Sequence, residues 1–146
     1  MNNTLSIFLI VWAAFIAMSF WESSAEGRKA WDKGKIGWKI HLNGYVFITR
    51  YHFWVWIMWL LTLSVPFAIT GWDLRLFGIL LSALFSGFVI EDFFWYILNP
   101  KVKLKEFYSP FSNYYPWIKI GKQKIIPIGY IAGILAAVVS WLLLWK

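Results

Sequence analysis

Two adjacent acids, Glu91 and Asp92, sit inside an otherwise apolar and aromatic run, Phe88-Val89-Ile90-Glu91-Asp92-Phe93-Phe94-Trp95-Tyr96. A carboxylate surrounded by hydrocarbon costs several kcal/mol unless it is paired, protonated or hydrated. Such a group is therefore either part of an ion pair or chemically useful. A carboxylic acid in an apolar site can hold and donate a proton, and a second carboxylate or a histidine can take one back. Glu22, which follows Trp21, and His52, which follows Arg50-Tyr51, supply those second groups. Aromatic faces attract cations, so Trp95, Tyr96 and Trp54 would form the wall of a pocket that carries a cationic intermediate. This set suits isomerisation, cyclisation or hydration of a double bond in a polyisoprenoid or sterol-like lipid. Glu91 or Asp92 is the candidate proton donor, and Glu22 or His52 its partner. Neighbours on a helix point about 100° apart, so Glu91 and Asp92 should serve different partners. The competing reading is structural: ion pairs from Glu91 or Asp92 to Arg28, Arg50 or a loop lysine, with Glu22 and His52 as solvated helix ends.

Other chemistries fit less well. The chain has no cysteine, which removes disulfides, thiolate metal sites and thiol nucleophiles. A dinuclear carboxylate site in a helical bundle uses Glu-x-x-His spacing, and the only histidines, His41 and His52, do not provide it. A metal held by Glu22, His52, Glu91 and Asp92 is conceivable, but no spacing favours it, and no metal or cofactor is assigned. There is no Gly-rich phosphate loop and no Ser-His-Asp pattern.

The elements that must position these groups are membrane helices. Hydrophobic residues make up 60% of the 146 residues and charged residues 14%, against about 45–50% and about 25% in soluble domains. The formal net charge of +7 therefore does not indicate a nucleic-acid binder. A span needs roughly 20 mostly apolar residues, and residues 5–21, 53–70, 74–98 and 125–145 qualify. The expected fold is an all-α, polytopic bundle of four transmembrane helices in a single domain, with no internal repeat. A cleaved signal is disfavoured because Met1-Asn2-Asn3-Thr4 carries no positive charge.

The basic residues concentrate in residues 22–52 and 99–124, leaving Arg75 and Lys146 on the other side. The positive-inside rule makes both loops cytoplasmic in a cell membrane, with both termini and Trp72-Asp73 outside. Lysines interleaved with aromatics in those loops would lie on anionic lipid headgroups. Trp21, Trp54, Trp56 and Trp95 fall near the inner interface, and Trp72, Trp141 and Trp145 near the outer one. Trp12 and Trp59 lie deeper. Glu91 then lies on the order of 10 Å short of the inner end of its helix. Glu22, His52, Glu91 and Asp92 thus converge on one level from three helices.

Asn99-Pro100 should end the third helix, Pro66 should kink the second, and Pro127 should open the fourth. Small residues at spacing four mark helix contacts, within the chain or to a partner: Gly129, Gly133 and Ala137; Gly78, Ser82 and Ser86; Ala13 and Ala17.

The stretch Glu91-Asp92-Phe93-Phe94-Trp95-Tyr96-Ile97-Leu98-Asn99-Pro100 resembles a motif of small, functionally uncharacterised four-helix prokaryotic membrane proteins: Glu-Asp, an aromatic pair, Trp, then Leu-Asn-Pro at a helix end. Its Glu-Asp-Phe-Phe core is also similar to the Glu-Glu-x-x-Phe-Phe element of membrane lycopene cyclase domains. Asp92 stands in place of the second Glu, and Val89 where that element has a nearby proline. The second resemblance implies isoprenoid chemistry.

Three functions follow in order. The first is an intramembrane enzyme using buried carboxylates for acid–base chemistry on a lipid or isoprenoid. The second is a non-catalytic small subunit of a larger membrane complex, or a homo-oligomer, joined through the small-residue stripes. The third, a transporter or channel, ranks last, because no repeat or broken helix is evident.

Overall fold

The computed structural model describes residues 3–144. Trp145 of the expected outer belt, Lys146 of the outer charge count and the Met1-Asn2 start lie outside the described residues. Four helices carry the fold: α1 (Asn3–Glu26), α2 (Arg50–Thr70), α3 (Leu74–Leu98) and α4 (Ile128–Leu144). The first three are long and apolar enough to cross a membrane, while α4 is a shorter apolar helix. α1 continues past the expected boundary at Trp21, so Glu22 lies inside the helix. α2 runs through Pro66 to a Gly71 C-cap with φ of 81°, a conformation that favours glycine.

The all-α expectation is corrected by two β-hairpins. Strands β1 (Lys39–Leu42) and β2 (Tyr45–Thr49) precede α2, and β3 (Trp117–Ile120) and β4 (Gln123–Pro127) precede α4. Pro127 therefore closes a strand rather than opening a helix. The turns explain why these segments pair. Asn43 and Gly44 have φ of 50° and 80°, the two positive values of a type I′ turn. Gly121, with φ of 58°, takes the first central position of the second turn.

The hairpins reveal an internal repeat. Each position of the first lies 78 residues before its counterpart in the second, from Lys39 and Trp117 to Thr49 and Pro127. Both carry a register shift at the same place, after Ile40 and after Ile118. In both, the first helical amide bonds the carbonyl just before the hairpin: Arg50 to Trp38 at 2.9 Å and Ile128 to Pro116 at 2.8 Å. In both, an aromatic of the preceding segment stacks on the third helical residue, Trp31 on His52 and Phe107 on Tyr130. The chain is thus two helix–hairpin–helix modules in tandem. The second has a longer connection (99–116 against 27–38), which holds two short 3-10 turns, Leu104–Tyr108 and Pro110–Ser112.

By packing, the chain divides into two units. One joins α1 up to Arg28 with everything from Leu74 onward, and the other is residues 29–73. In the first unit, α1 and α3 run parallel and in register. Trp12 Nε1 donates to Ser86 Oγ at 2.9 Å, and Ser19 Oγ donates to the Glu91 carbonyl at 2.8 Å. Asn99 Nδ2 donates to the Gly27 carbonyl at 2.7 Å. Between these ties the Phe15 ring fills the space over Gly87, where a Cβ would lie 2.2 Å from the ring. The contact face of α1 is therefore Val11, Phe15, Ser19, Glu22 and Ser23, all buried. Ala13 and Ala17, expected at a contact, are exposed. α4 returns antiparallel to α3. Gly133 sits against Val89, and Gly78 against Leu144 and Ser140. Ala137 is buried with them, while Gly129 faces open space.

In the second unit, Thr49 caps α2 by accepting from the His52 amide at 3.3 Å. Lys39 Nζ pairs with Asp32 at 3.2 Å.

Candidate functional site

The last two turns of α3 carry the site. Residues i and i+4 share a helix face, so Glu91 and Trp95 form one face and Asp92 and Tyr96 the next. The structure separates the two acids accordingly. The Glu91 carboxyl faces the Glu22 carboxyl of α1, and both residues are buried, at 8% and 5% exposed. Two carboxylates that share a buried site repel one another, which favours a proton on one of them.

Asp92 turns toward α4 and the segment before β3. Its Oδ2 accepts from the Tyr115 hydroxyl and from the Tyr130 hydroxyl, each at 2.6 Å. Two phenolic donors on one oxygen match the acceptor-only carboxylate form. The Tyr96 hydroxyl, one turn on, bonds the Tyr114 hydroxyl, and the Tyr114 and Tyr115 rings lie 4.4 Å apart. Burial, then the Asp92 charge, push the Tyr114 and Tyr115 phenols above their ordinary range, so both remain donors at any physiological pH. Asp92 is thus held in a cluster of four tyrosines drawn from α3, α4 and the segment between them.

Of the expected pocket wall, Trp95 and Tyr96 are in the core, at 5% and 1% exposed. Trp95 Nε1 is buried with no hydrogen-bond partner, a vacancy that costs about 1–3 kcal/mol. Trp54, in the other unit, is 58% exposed on α2. His52, also in that unit, is buried. Its Nδ1 lies 2.7 Å from Thr49 Oγ1, and Trp31 stacks on its ring at 4.1 Å.

Arg28, one of the basic partners considered for the acids, is engaged elsewhere. Arg28 forms a two-pronged bridge to Glu106, at 2.7 and 3.1 Å, and also donates to the Lys101 carbonyl. Its guanidinium sits 5.0 Å over the Phe111 ring. The Arg28 hydrogen bond, helped by the Lys103 amide, lowers the Glu106 pKa to about 2. Asn99 of the Leu-Asn-Pro motif has a structural task. Its Oδ1 accepts from the Lys101 and Val102 amides, at 2.8 and 3.0 Å, which turns the chain out of α3.

Sequence reasoning did not find Tyr115, Tyr130, Tyr114 or Glu106. The tyrosines reach Asp92 across 23 and 38 residues of chain, and no local pattern signals that. Glu106 stands three residues after Lys103 and receives that residue's amide at 3.1 Å, the reciprocal half of a capping box, but Lys103 is not the Ser or Thr that makes such a box legible. No family model, no curated protein and no solved structure matches this chain.

Proposed function

We propose that the chain is a four-span membrane protein that performs acid–base chemistry on a lipid or isoprenoid at one end of α3. The carrying observation is that the adjacent carboxyl groups have opposite surroundings. Glu91 faces a second buried carboxyl, Glu22, while Asp92 accepts from two phenols. The first pair is the proton source and Asp92 the base. Protonation of a substrate double bond by the Glu91–Glu22 pair would form a C–H bond and leave a carbocation. Loss of a neighbouring proton to Asp92 would restore a double bond in a new position. Trp95 and Tyr96 supply aromatic surface for the cation, and the Trp95 N–H supplies a donor for an oxygen of the substrate.

In this reading α4 is the fourth span, both termini are outside, and the basic loops face cytoplasmic anionic lipid headgroups. The test uses solvent deuterium. The protein is reconstituted with a polyisoprenoid lipid extract in heavy water, and the lipids are then weighed by mass spectrometry. Deuterium should enter a lipid at carbon, and Glu91→Gln and Asp92→Asn should each abolish it. Incorporation at the wild-type rate in both variants would refute the reading.

A second reading, a small subunit of a larger complex, draws on α2. That helix buries only His52, Val55 and Trp59 among its described residues and leaves Leu60, Leu61, Val65 and Ile69 exposed.

A further inference from the structure

The second hairpin gathers positive charge without a compensating acid. Lys119 is the direct cross-strand partner of Lys124, and Lys122 lies in the turn between them. Like charges opposite one another destabilise a strand pair. Lys124 Nζ is fixed in place by neutral groups. It donates to the Ser109 carbonyl at 2.5 Å and to Ser112 Oγ at 2.9 Å, and it lies 5.0 Å over the Trp117 ring. Burial, then the charge of Lys119, lower its pKa. Nearby acids are committed elsewhere, Glu106 to Arg28 and Asp92 to its tyrosines.

Beside these lysines is a cavity of about 600 Å³. Lys122 and Lys124 line it together with Asn113, Gln123, Tyr108 and Ile125, and no acid does. The lining therefore offers two ammonium groups, two amides and a phenol beside an apolar flank that includes Pro110 and Ile125. A phosphate ester matches that set: lysine binds phosphate as a point charge, and amide and hydroxyl donors complete its oxygens. The cavity opens at β4, which leads directly into the apolar helix α4. That placement favours a phosphate carried on a lipid headgroup.

We propose that this cavity is a phosphate-ester site, with Lys122 and Lys124 as counter-charges and Lys119 as a supporting cation. It deepens the anionic-lipid contact proposed above and does not depend on the carboxylate chemistry. The test reconstitutes the full chain in nanodiscs of mixed phosphatidylcholine and phosphatidylglycerol and counts retained lipids by native mass spectrometry. Phosphatidylglycerol should be retained beyond its share of the disc. Lys122→Gln should cut that enrichment about fivefold, and adding Lys119→Gln a further fivefold or so. Neither substitution removes the Lys124 contacts that hold the hairpin. Lys33→Gln and Lys35→Gln, in the first loop, remove only the general headgroup contact and should lower the enrichment less than Lys122→Gln does. Glycerol 3-phosphate is added in a second arm, in detergent, which reads the cavity without any membrane. Binding there that is lost in Lys122→Gln would assign the site to phosphate esters in general. Enrichment in discs without such binding would assign it to the lipid headgroup. Enrichment that survives Lys122→Gln and Lys119→Gln together, or no enrichment and no glycerol phosphate binding, would overturn the proposal.

Discussion

The Tyr130 hydroxyl donates to Asp92 Oδ2 at 2.6 Å, tying the first turn of α4 to the last two turns of α3. A hydrogen bond to a charged group contributes about 1.5–3 kcal/mol. Tyr130→Phe should therefore destabilise the protein by about that amount. Asp92→Asn, which retains one acceptor oxygen but lacks the charge, should make Tyr130→Phe less costly. A double-mutant cycle read by chemical unfolding in detergent measures the coupling. Additive effects would mean that the bond contributes nothing.

Glycine positions in the bundle should differ sharply. A Cβ at Gly87 would meet the Phe15 ring at 2.2 Å, whereas a Cβ at Gly129 meets nothing within 4 Å. Gly87→Ala should cost about 1–3 kcal/mol by overpacking, and Phe15→Leu in the same chain should recover part of that loss. Gly129→Ala should be neutral or stabilising by up to about 1 kcal/mol. Thermal unfolding of the three variants beside the wild type checks both statements.

The Arg28–Glu106 bridge should give the 99–116 segment a pH dependence. The pKa of Glu106 falls from an ordinary 4.5 to about 2 in the folded protein. Its contribution is present above about pH 4.5 and is lost as pH falls through about 2. The protection of that segment's amides relative to their intrinsic exchange rates should therefore fall as pH falls through this window. In Glu106→Gln the segment should be loose throughout, with no such dependence. An unchanged profile in that variant would contradict the bridge as its cause.

The first hairpin should depend on its turn. Asn43 has φ of 50°, which asparagine tolerates and alanine resists by roughly 1–2 kcal/mol. Asn43→Ala should speed exchange of the β1 and β2 amides without changing that of α3.

Much of the helical plan was legible because hydrocarbon imposes it. α3 runs over the expected residues 74–98, and Asn99-Pro100 ends it through the Asn99 side chain. Gly133 and Ala137 were legible as contacts because small residues let α4 approach α3. Ala13 and Ala17 make no such contact within the chain. On α1 the close approach is made by a large ring over a distant glycine, so the small residues of that helix face outward. The first hairpin has a local signal, Asn43-Gly44 between alternating residues, which the second hairpin lacks. The tandem repeat was not legible by identity. Between residues 38–50 and 116–128 only Ile40 with Ile118 and Ile48 with Ile126 agree. These are the cross-strand pairs beside the register shift, so the geometry persists where the residues have diverged. Within the site, the different partners of Glu91 and Asp92 followed from helical geometry. The tyrosines did not, because the chain returns to Asp92 only after the whole second connection.

The central claim is that the acids at the end of α3 serve a lipid substrate. Native mass spectrometry of the protein, extracted mildly from its own membrane, tests it most directly. The account predicts a lone chain or homo-oligomer that retains an isoprenoid lipid, with less retained in Trp95→Phe. Partner chains at fixed stoichiometry, with no isoprenoid bound, would contradict it and make the chain a complex subunit.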